Sequence, residues 1–280
     1  MNLTRTGLGF RDENALEILS TKPALSWFEI LIDNYMSDSA ELLIIDQLCE
    51  SYPITFHGVG LNIGSVDVLS RQYLSKLKQL QDRWEPKIIS DHFSWTGNES
   101  GKFHELLALP HTKECIEHIV RRVSEVQEFL GRQIILENAS TYVQVPSEMP
   151  EWEFINQICK QSGCGLLLDI NNIHVNAFNH QFDVLEYVEN IDFKNIRELH
   201  LAGYEDMGSY YLDSHSRSVS DEVWNTFKIV ISEMPQIPCL LEWDNEIPSL
   251  NVLLGEIEKA ERIRHSAIRF EDSHSGLLPK

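Results

Sequence analysis

The sequence predicts a single (β/α)8 TIM barrel. Short apolar runs of β type alternate with longer amphipathic helical runs, the pattern of α/β units around a parallel sheet. Eight such strand-like runs can be counted, with eight plausible helices between and after them. The chain has 280 residues and 42% hydrophobic content, which suits one such barrel of about 250 residues plus insertions.

In chain order the expected strands are GLGF (7–10), WFEIL (27–31), ITFHG (54–58), KIISDHF (87–93), QIILEN (133–138), GLLLDIN (165–171), ELHLAG (198–203) and CLLEWD (239–244). GLLLDIN reads as a strand buried on both faces, as parallel strands are. The clearest helical stretches are AELLIIDQLCESY (40–52), QYLSKLKQLQDRW (72–84), CIEHIVRRVSEVQEFLG (115–131), DEVWNTFKIVISEMP (221–235) and LNVLLGEIEKAERI (250–263). An open doubly wound sheet is the competing architecture, but GLGFRDEN is a poor match to the glycine-rich first turn that such sheets carry. The catalytic barrel is placed at 1–264. Residues 265–280, with a weaker apolar pattern, are expected to form a mobile C-terminal tail.

Charge and cysteine usage narrow the class. The net charge of −20 (23 Lys and Arg against 43 Asp and Glu) disfavours a nucleic-acid partner. No apolar run is long enough to span a membrane, and the first residues lack an apolar signal core. Five cysteines without a CxxC pair read as reduced thiols, so a cytoplasmic location is expected.

In a barrel of this kind chemistry gathers at the C-terminal ends of the strands. Those ends carry, in order, His57, His92, Glu137, Asp169, His200 and Glu242. Each alone has an ordinary explanation, such as a packed histidine or a helix-capping acid. Together they place three carboxylates and three imidazoles in one mouth with no Lys or Arg at matching positions, and a metal ion supplies the missing cation. Mixed N/O ligands suit iron, manganese or zinc. Two further pairs share an i, i+2 spacing, Asp213 with His215 and Asn172 with His174; in extended chain such side chains point the same way. Asp244 is either a base near a substrate or a helix cap. Asp91 points away from His92 and reads either as a support behind the ligands or as structural, His180 is ambiguous, and His104, His111, His118, His265 and His274 read as surface or packing residues.

The strings FEILIDNYM (28–36), FHGVGLNIGS (56–65), ISDHFSW (89–95), LENASTY (136–142), LLLDINNIHVNAFNH (166–180), ELHLAGY (198–204), DSHS (213–216) and LEWDNEIPSL (241–250) together resemble the multinuclear non-haem iron-dependent oxidative enzymes. That resemblance, spanning about residues 7–260, implies a (β/α)8 barrel with two or three iron ions in mixed Fe(II)/Fe(III) states. It also implies O2 as co-substrate and a cysteine-containing, ribosomally made precursor peptide as substrate. By resemblance His57, His92 and Glu137 bind one iron. Glu137 as a bridge, with Asp169, His200 and Glu242, binds the next, and Asn172, His174, Asp213 and His215 hold a third. Many members have Tyr where this chain has His174; HLAGY has Tyr204 where His is frequent, and DSHSRS replaces the usual DTHGxP.

ILIDNY and HLAGY look most like the methanobactin-biosynthesis branch. That likeness implies oxazolone and thioamide groups as products and a small MbnC-like recognition protein as heterodimer partner. The alternatives are the branch that excises the cysteine β-carbon on a carrier peptide, and a divalent-metal hydrolase or isomerase on the same barrel.

Overall fold

The computed structural model describes residue 3, residues 5–98 and residues 101–275; the side chains of Lys102, His104 and residues 269–275 are outside that description. In chain order the elements are β1 (Thr6–Gly9), α1 (Asp12–Thr21), β2 (Phe28–Leu31), α2 (Leu42–Cys49), β3 (Ile54–His57), α3 (Arg71–Trp84), β4 (Ile89–His92), β5 (Trp95–Asn98) and β6 (Gly101–Leu107). They continue with α4 (Lys113–Leu130), β7 (Ile135–Glu137), α5 (Glu151–Ser162), β8 (Gly165–Asp169), α6 (Ile170–His180), α7 (Val184–Asn190) and β9 (Ile196–Leu201). The last are β10 (Glu205–Asp206), β11 (Tyr211–Leu212), α8 (Asp221–Glu233), β12 (Cys239–Leu241) and α9 (Leu250–Ser275). Short 3-10 turns follow β2 and precede β9.

Eight strands close a parallel barrel in the order β1-β12-β9-β8-β7-β4-β3-β2. All eight expected strands are present and each is a stave. β5–β6 and β10–β11 are additional two-stranded pairs that the sequence pattern does not reveal. Both lie in loops that leave C-terminal strand ends, the end of the barrel where insertions meet the site.

Strand alternation divides each stave between two cores. On β8, Leu166 and Leu168 join the apolar layer between barrel and helices, with Leu136, Phe56 and Ile30. Leu167 and Asp169 take the opposite face and look into the barrel, as do Glu137 on β7 and Glu198 and His200 on β9. The leucine run is therefore buried on both faces, as expected. Register then sets the height of the polar residues. His92 pairs with Glu137 and Asp169 with His200, so neighbouring staves present their functional side chains at one level.

The helices start and stop on local chemistry. Ser70, Thr112 and Ser220 cap α3, α4 and α8 by accepting from the backbone N–H of Tyr73, Cys115 and Val223. Gly131 ends α4 in the left-handed region at φ 72°. Gly203 is needed for close approach instead. A Cβ there would lie 2.2 Å from the Arg217 carbonyl oxygen, so only glycine lets the chain after β9 pass the end of the 204–220 insertion. α9 runs on through residues 265–275, and residues 276–280 lie outside the described ones. Among the described residues no helix is long and apolar enough to cross a membrane.

Phe56 is fully buried and packs edge-on against Trp84 of α3 at 6.0 Å between ring centroids. Phe56→Ala is expected to cost about 3–5 kcal/mol, read as a lower urea midpoint with little change in slope.

Candidate metal centre

Among the described residues, four overlapping groups of metal-ligand side chains converge in and below the mouth: His57–His92–Glu137, Glu137–Asp169–His200–Glu242, Glu29–Glu198–His200 and His215–Glu242–Asp244. Within each group the candidate donor atoms all lie within 4.8 Å of one another. All six strand-end residues expected from the sequence are thus brought together.

The protonation of the first group follows from its hydrogen bonds. Ser90 Oγ gives its only proton to the Phe56 carbonyl at 3.0 Å, so at 2.8 Å from His57 Nδ1 it acts as acceptor. His92 Nδ1 lies 3.1 Å from the Gly58 carbonyl, which can only accept. Both imidazoles therefore carry their proton on Nδ1 and turn a bare Nε2 toward Glu137 Oε2, each at 3.3 Å. That oxygen is buried and has no hydrogen-bond partner. Two imidazole lone pairs and a carboxylate oxygen repel unless something positive lies among them, and this donor set fits a metal ion.

Asp169 does two things. Its Oδ1 caps α6 by accepting from Asn172 N at 2.7 Å, while Oδ2 is buried and unpartnered. The reading of this residue as a helix cap accounts for one oxygen and leaves the other facing the mouth without a partner. Asn138, the residue after β7, fixes its backbone, donating to the Asp169 carbonyl and accepting from its N–H, both at 2.9 Å. His200 turns Nδ1 toward Glu242 Oε2 at 3.0 Å and toward Glu137 Oε2 at 4.0 Å. Its Nε2 points the other way, 3.3 Å from Glu29 Oε2.

Burial dominates the titration of the cluster. It pushes the Glu137 carboxyl well up and that of Asp169 up to about 7, and it drives His57 well down and His92 down to about 4. At neutral pH these two imidazoles are therefore neutral and ready to ligate. Burial also pushes His200 down, but the carboxylates of Glu29 and Glu242 outweigh it and hold this imidazole well above its ordinary range.

The second pattern is only partly realised. Asp213 and His215 meet, with Oδ1 2.7 Å from Nε2. Asn172 reaches the centre, donating from Nδ2 to Glu137 Oε1 at 3.2 Å and to the Asn138 carbonyl at 3.1 Å, with its Oδ1 buried and unpartnered. His174 is not brought there: its Nε2 pairs with Thr226 Oγ1 of α8 at 2.9 Å. The expected strand extended to residue 171, but α6 begins at Ile170. Two residues along a helix turn the side chain through about 200°, so Asn172 and His174 diverge instead of sharing a side. Asn171 holds Asp213 instead, donating from Nδ2 to Oδ1 at 2.8 Å.

The mouth is also not free of cations. Arg11, at the turn from β1 into α1, donates from Nε to Asp244 Oδ1 at 3.0 Å and from Nη2 to the same oxygen, and lies 3.6 Å from Glu242 Oε1. In sequence GLGFRDEN suggests only a poor nucleotide-binding turn, yet the end of the first stave is where a barrel places a site residue. Asp244 is no cap of α9, which begins six residues later. Burial pushes its carboxyl up, but His215 at 3.1 Å and Arg11 outweigh this and hold it well below the usual range. Glu29 and Glu198, buried acids inside strands, were also missed. Asp91 is structural as expected, accepting from the N–H of His92 and Leu61. His180 contacts Thr141 Oγ1 at 2.6 Å. His111 and His118 pack at the helix side, against the Phe154 ring and the Ser65 carbonyl, and the side chains of His104 and His274 lie outside the described residues.

The family model for the RiPP precursor modification enzymes MbnB/TglH/ChrH, which act on ribosomally made and afterwards modified peptides, matches residues 5–265. The chain belongs to this family. Members similar to it include a UPF0276 protein of Acaryochloris marina, 41% identical over 91% of this chain and 93% of that protein. Another, from Anaeromyxobacter sp., is 40% identical over 94% and 93%. Among solved structures, L-ribulose 3-epimerase aligns over 99% of this chain and 100% of its own at TM-score 0.60 and 12% identity. Endonuclease IV from Thermus thermophilus aligns over 95% and 99% at TM-score 0.57 and 14% identity. These two share the barrel fold with the MbnB/TglH/ChrH-family chain; at such identity the likeness extends no further.

Two outcomes follow from the placements. His174→Ala is expected to leave metal per chain unchanged by elemental analysis, whereas His57→Ala lowers it. In metal-free protein Asp169 binds its proton up to about pH 7, against about 3.9 in the unfolded chain. The folded state then holds more protons between these values, so this group's contribution to stability falls as pH rises through that window. Asp169→Asn should accordingly gain on wild type, in urea midpoint of chelator-treated protein, between pH 5 and pH 8.

Proposed function

We propose that the chain is an iron- and O2-dependent oxidase that modifies cysteine residues of a ribosomally synthesised precursor peptide, forming oxazolone and thioamide groups as in methanobactin biosynthesis. The observation that carries a metal-based chemistry is the pair of bare Nε2 atoms of His57 and His92 facing the unpartnered Glu137 Oε2 at 3.3 Å. The family supports the peptide substrate.

In this reading His57, His92 and Glu137 hold one ion, and Glu137, Asp169, His200 and Glu242 the next. Asn172, Asp213 and His215 are the donors left for a third; His174 is withdrawn from that set. Bound iron supplies Lewis acidity toward a cysteine thiol and the electrons exchanged with O2. The chain's own residues do the rest. Ser90 and the Gly58 carbonyl keep the two imidazoles in the ligating tautomer, Asn172 orients Glu137, and Asn138 sets Asp169. Asp244, ion-paired to Arg11 and His215, binds a proton too weakly there to serve as a strong base. Its role becomes that of orienting His215 at the edge of the mouth, and a substrate proton goes elsewhere. A small MbnC-like partner in a heterodimer and a cytoplasmic setting complete the proposal.

The test is mass spectrometry of a cysteine-containing precursor peptide incubated with iron-loaded enzyme, with and without O2. The expected product has lost hydrogens but no carbon, and only in the presence of O2. Loss of carbon would move the enzyme to the β-carbon-excising branch. Turnover without O2, or with zinc alone, would remove the oxidase reading. Glu137→Gln should lower iron per chain at both proposed positions and reduce product formation by more than about a hundredfold; full iron and activity in that variant would contradict the shared role.

A further inference from the structure

Below the mouth lies a second tier of ionisable groups. Glu29 on β2 and Glu198 on β9 are fully buried inside the barrel, and none of their four carboxylate oxygens has a hydrogen-bond partner. His200, also fully buried, stands between this tier and the mouth. Its two nitrogens face different neighbours. Nδ1 hydrogen-bonds Glu242 Oε2 at 3.0 Å and looks toward Glu137, whereas Nε2 faces Glu29 Oε2 at 3.3 Å and has no other partner. The placement follows from register. Glu198 pairs with Leu167, two residues below the Asp169–His200 pair, and Glu29 pairs with Thr55, two below His57, so the His200 ring lies between the two tiers.

An imidazole that ligates through one nitrogen keeps a proton on the other, and that proton needs an acceptor to fix the ring. At His57 and His92 the acceptors are Ser90 and a backbone carbonyl. At His200 the buried acceptor in reach is a carboxylate. We propose that Glu29 is the positioning residue of the centre: it takes the Nε2 proton of His200 as a hydrogen bond, and so presents Nδ1 to the metal ion shared with Glu137, Asp169 and Glu242. The inference rests on the metal reading above. A 3.3 Å separation is longer than a well-formed N–H···O bond, and it closes when a ligated Nδ1 leaves the imidazole with its single proton on Nε2. Glu29 touches no substrate; it acts through His200.

The experiment uses the full chain loaded with zinc, a diamagnetic probe, and labelled with 15N-histidine. Ring-nitrogen correlations of wild type should show a His200 proton on Nε2 and none on Nδ1, the signal being identified by its absence in His200→Asn. The opposite tautomer overturns the inference. Release of metal to a chelator, followed by stopped absorbance, supplies the second readout. Glu29→Leu should release metal about 10–100-fold faster than wild type. Glu29→Gln, whose side-chain oxygen still accepts, should stay within about threefold and keep the Nε2 proton signal. Wild-type release from Glu29→Leu overturns the proposal while leaving the metal centre standing. If wild type takes up neither zinc nor iron, the metal reading fails and this one with it. Should Glu29→Leu not fold, the wild-type tautomer and the retention by Glu29→Gln still decide.

Discussion

The constraint on which this structure turns is electrostatic. A closed barrel has an interior of low polarity, and this one places Glu29, Glu137, Asp169, Glu198 and Glu242 inside or at the mouth of it with the imidazoles of His57, His92 and His200. Ionised acids there cost several kcal/mol each unless they are paired. Arg11 offsets part of that, at Asp244 and Glu242, and leaves Glu137 and Asp169 with open oxygens. The side chains around these two are arranged to keep the open oxygens open: Asn172 occupies Glu137 Oε1, the start of α6 occupies Asp169 Oδ1, and the remaining atoms face inward.

The barrel makes this arrangement possible by register. Residues paired across neighbouring parallel strands point to the same side of the sheet, and here the pairings His92–Glu137 and Asp169–His200 put donors from adjacent staves together on the inner face. The helix-facing halves of the same strands, with Leu136, Leu166, Leu168 and Phe56, form the apolar layer that holds the staves rigid. Precision at the centre is therefore a property of the outer core as much as of the donors.

Much of this could be read in the chain. The eight apolar runs mark the staves because parallel strands buried on both faces have a composition of their own, and polar residues that interrupt those runs at their C-terminal ends mark the site. What escaped had physical reasons. Glu29 and Glu198 sit within strands, where an acid looks like an error in the apolar pattern until His200, on the same stave as Glu198, is known to face Glu29. Arg11 follows GLGF, a string that bears on the fold only through its poor match to a glycine-rich turn, and no charge pattern there marks a site. Asn172 and His174 were grouped on an extended spacing, but the capping oxygen of Asp169 starts a helix one residue later. Single-residue boundaries of this kind are where sequence patterns are weakest, and here the boundary decides which side chain enters the centre.

That same capping oxygen ties two events that are usually separate. A carboxylate whose one oxygen nucleates α6 and whose other oxygen faces the mouth cannot take up its final position until the first turn of that helix has formed. Conversely, a side chain at 169 with no oxygen in that place, such as that of Ala, would deprive the helix of its starting contact as well as the mouth of a charge. Loss of the oxygen is thus opposed by the backbone itself, whereas Asn keeps the cap and gives up only the charge. A change at this position to a side chain that cannot cap α6 loses ground in folding as well as in chemistry.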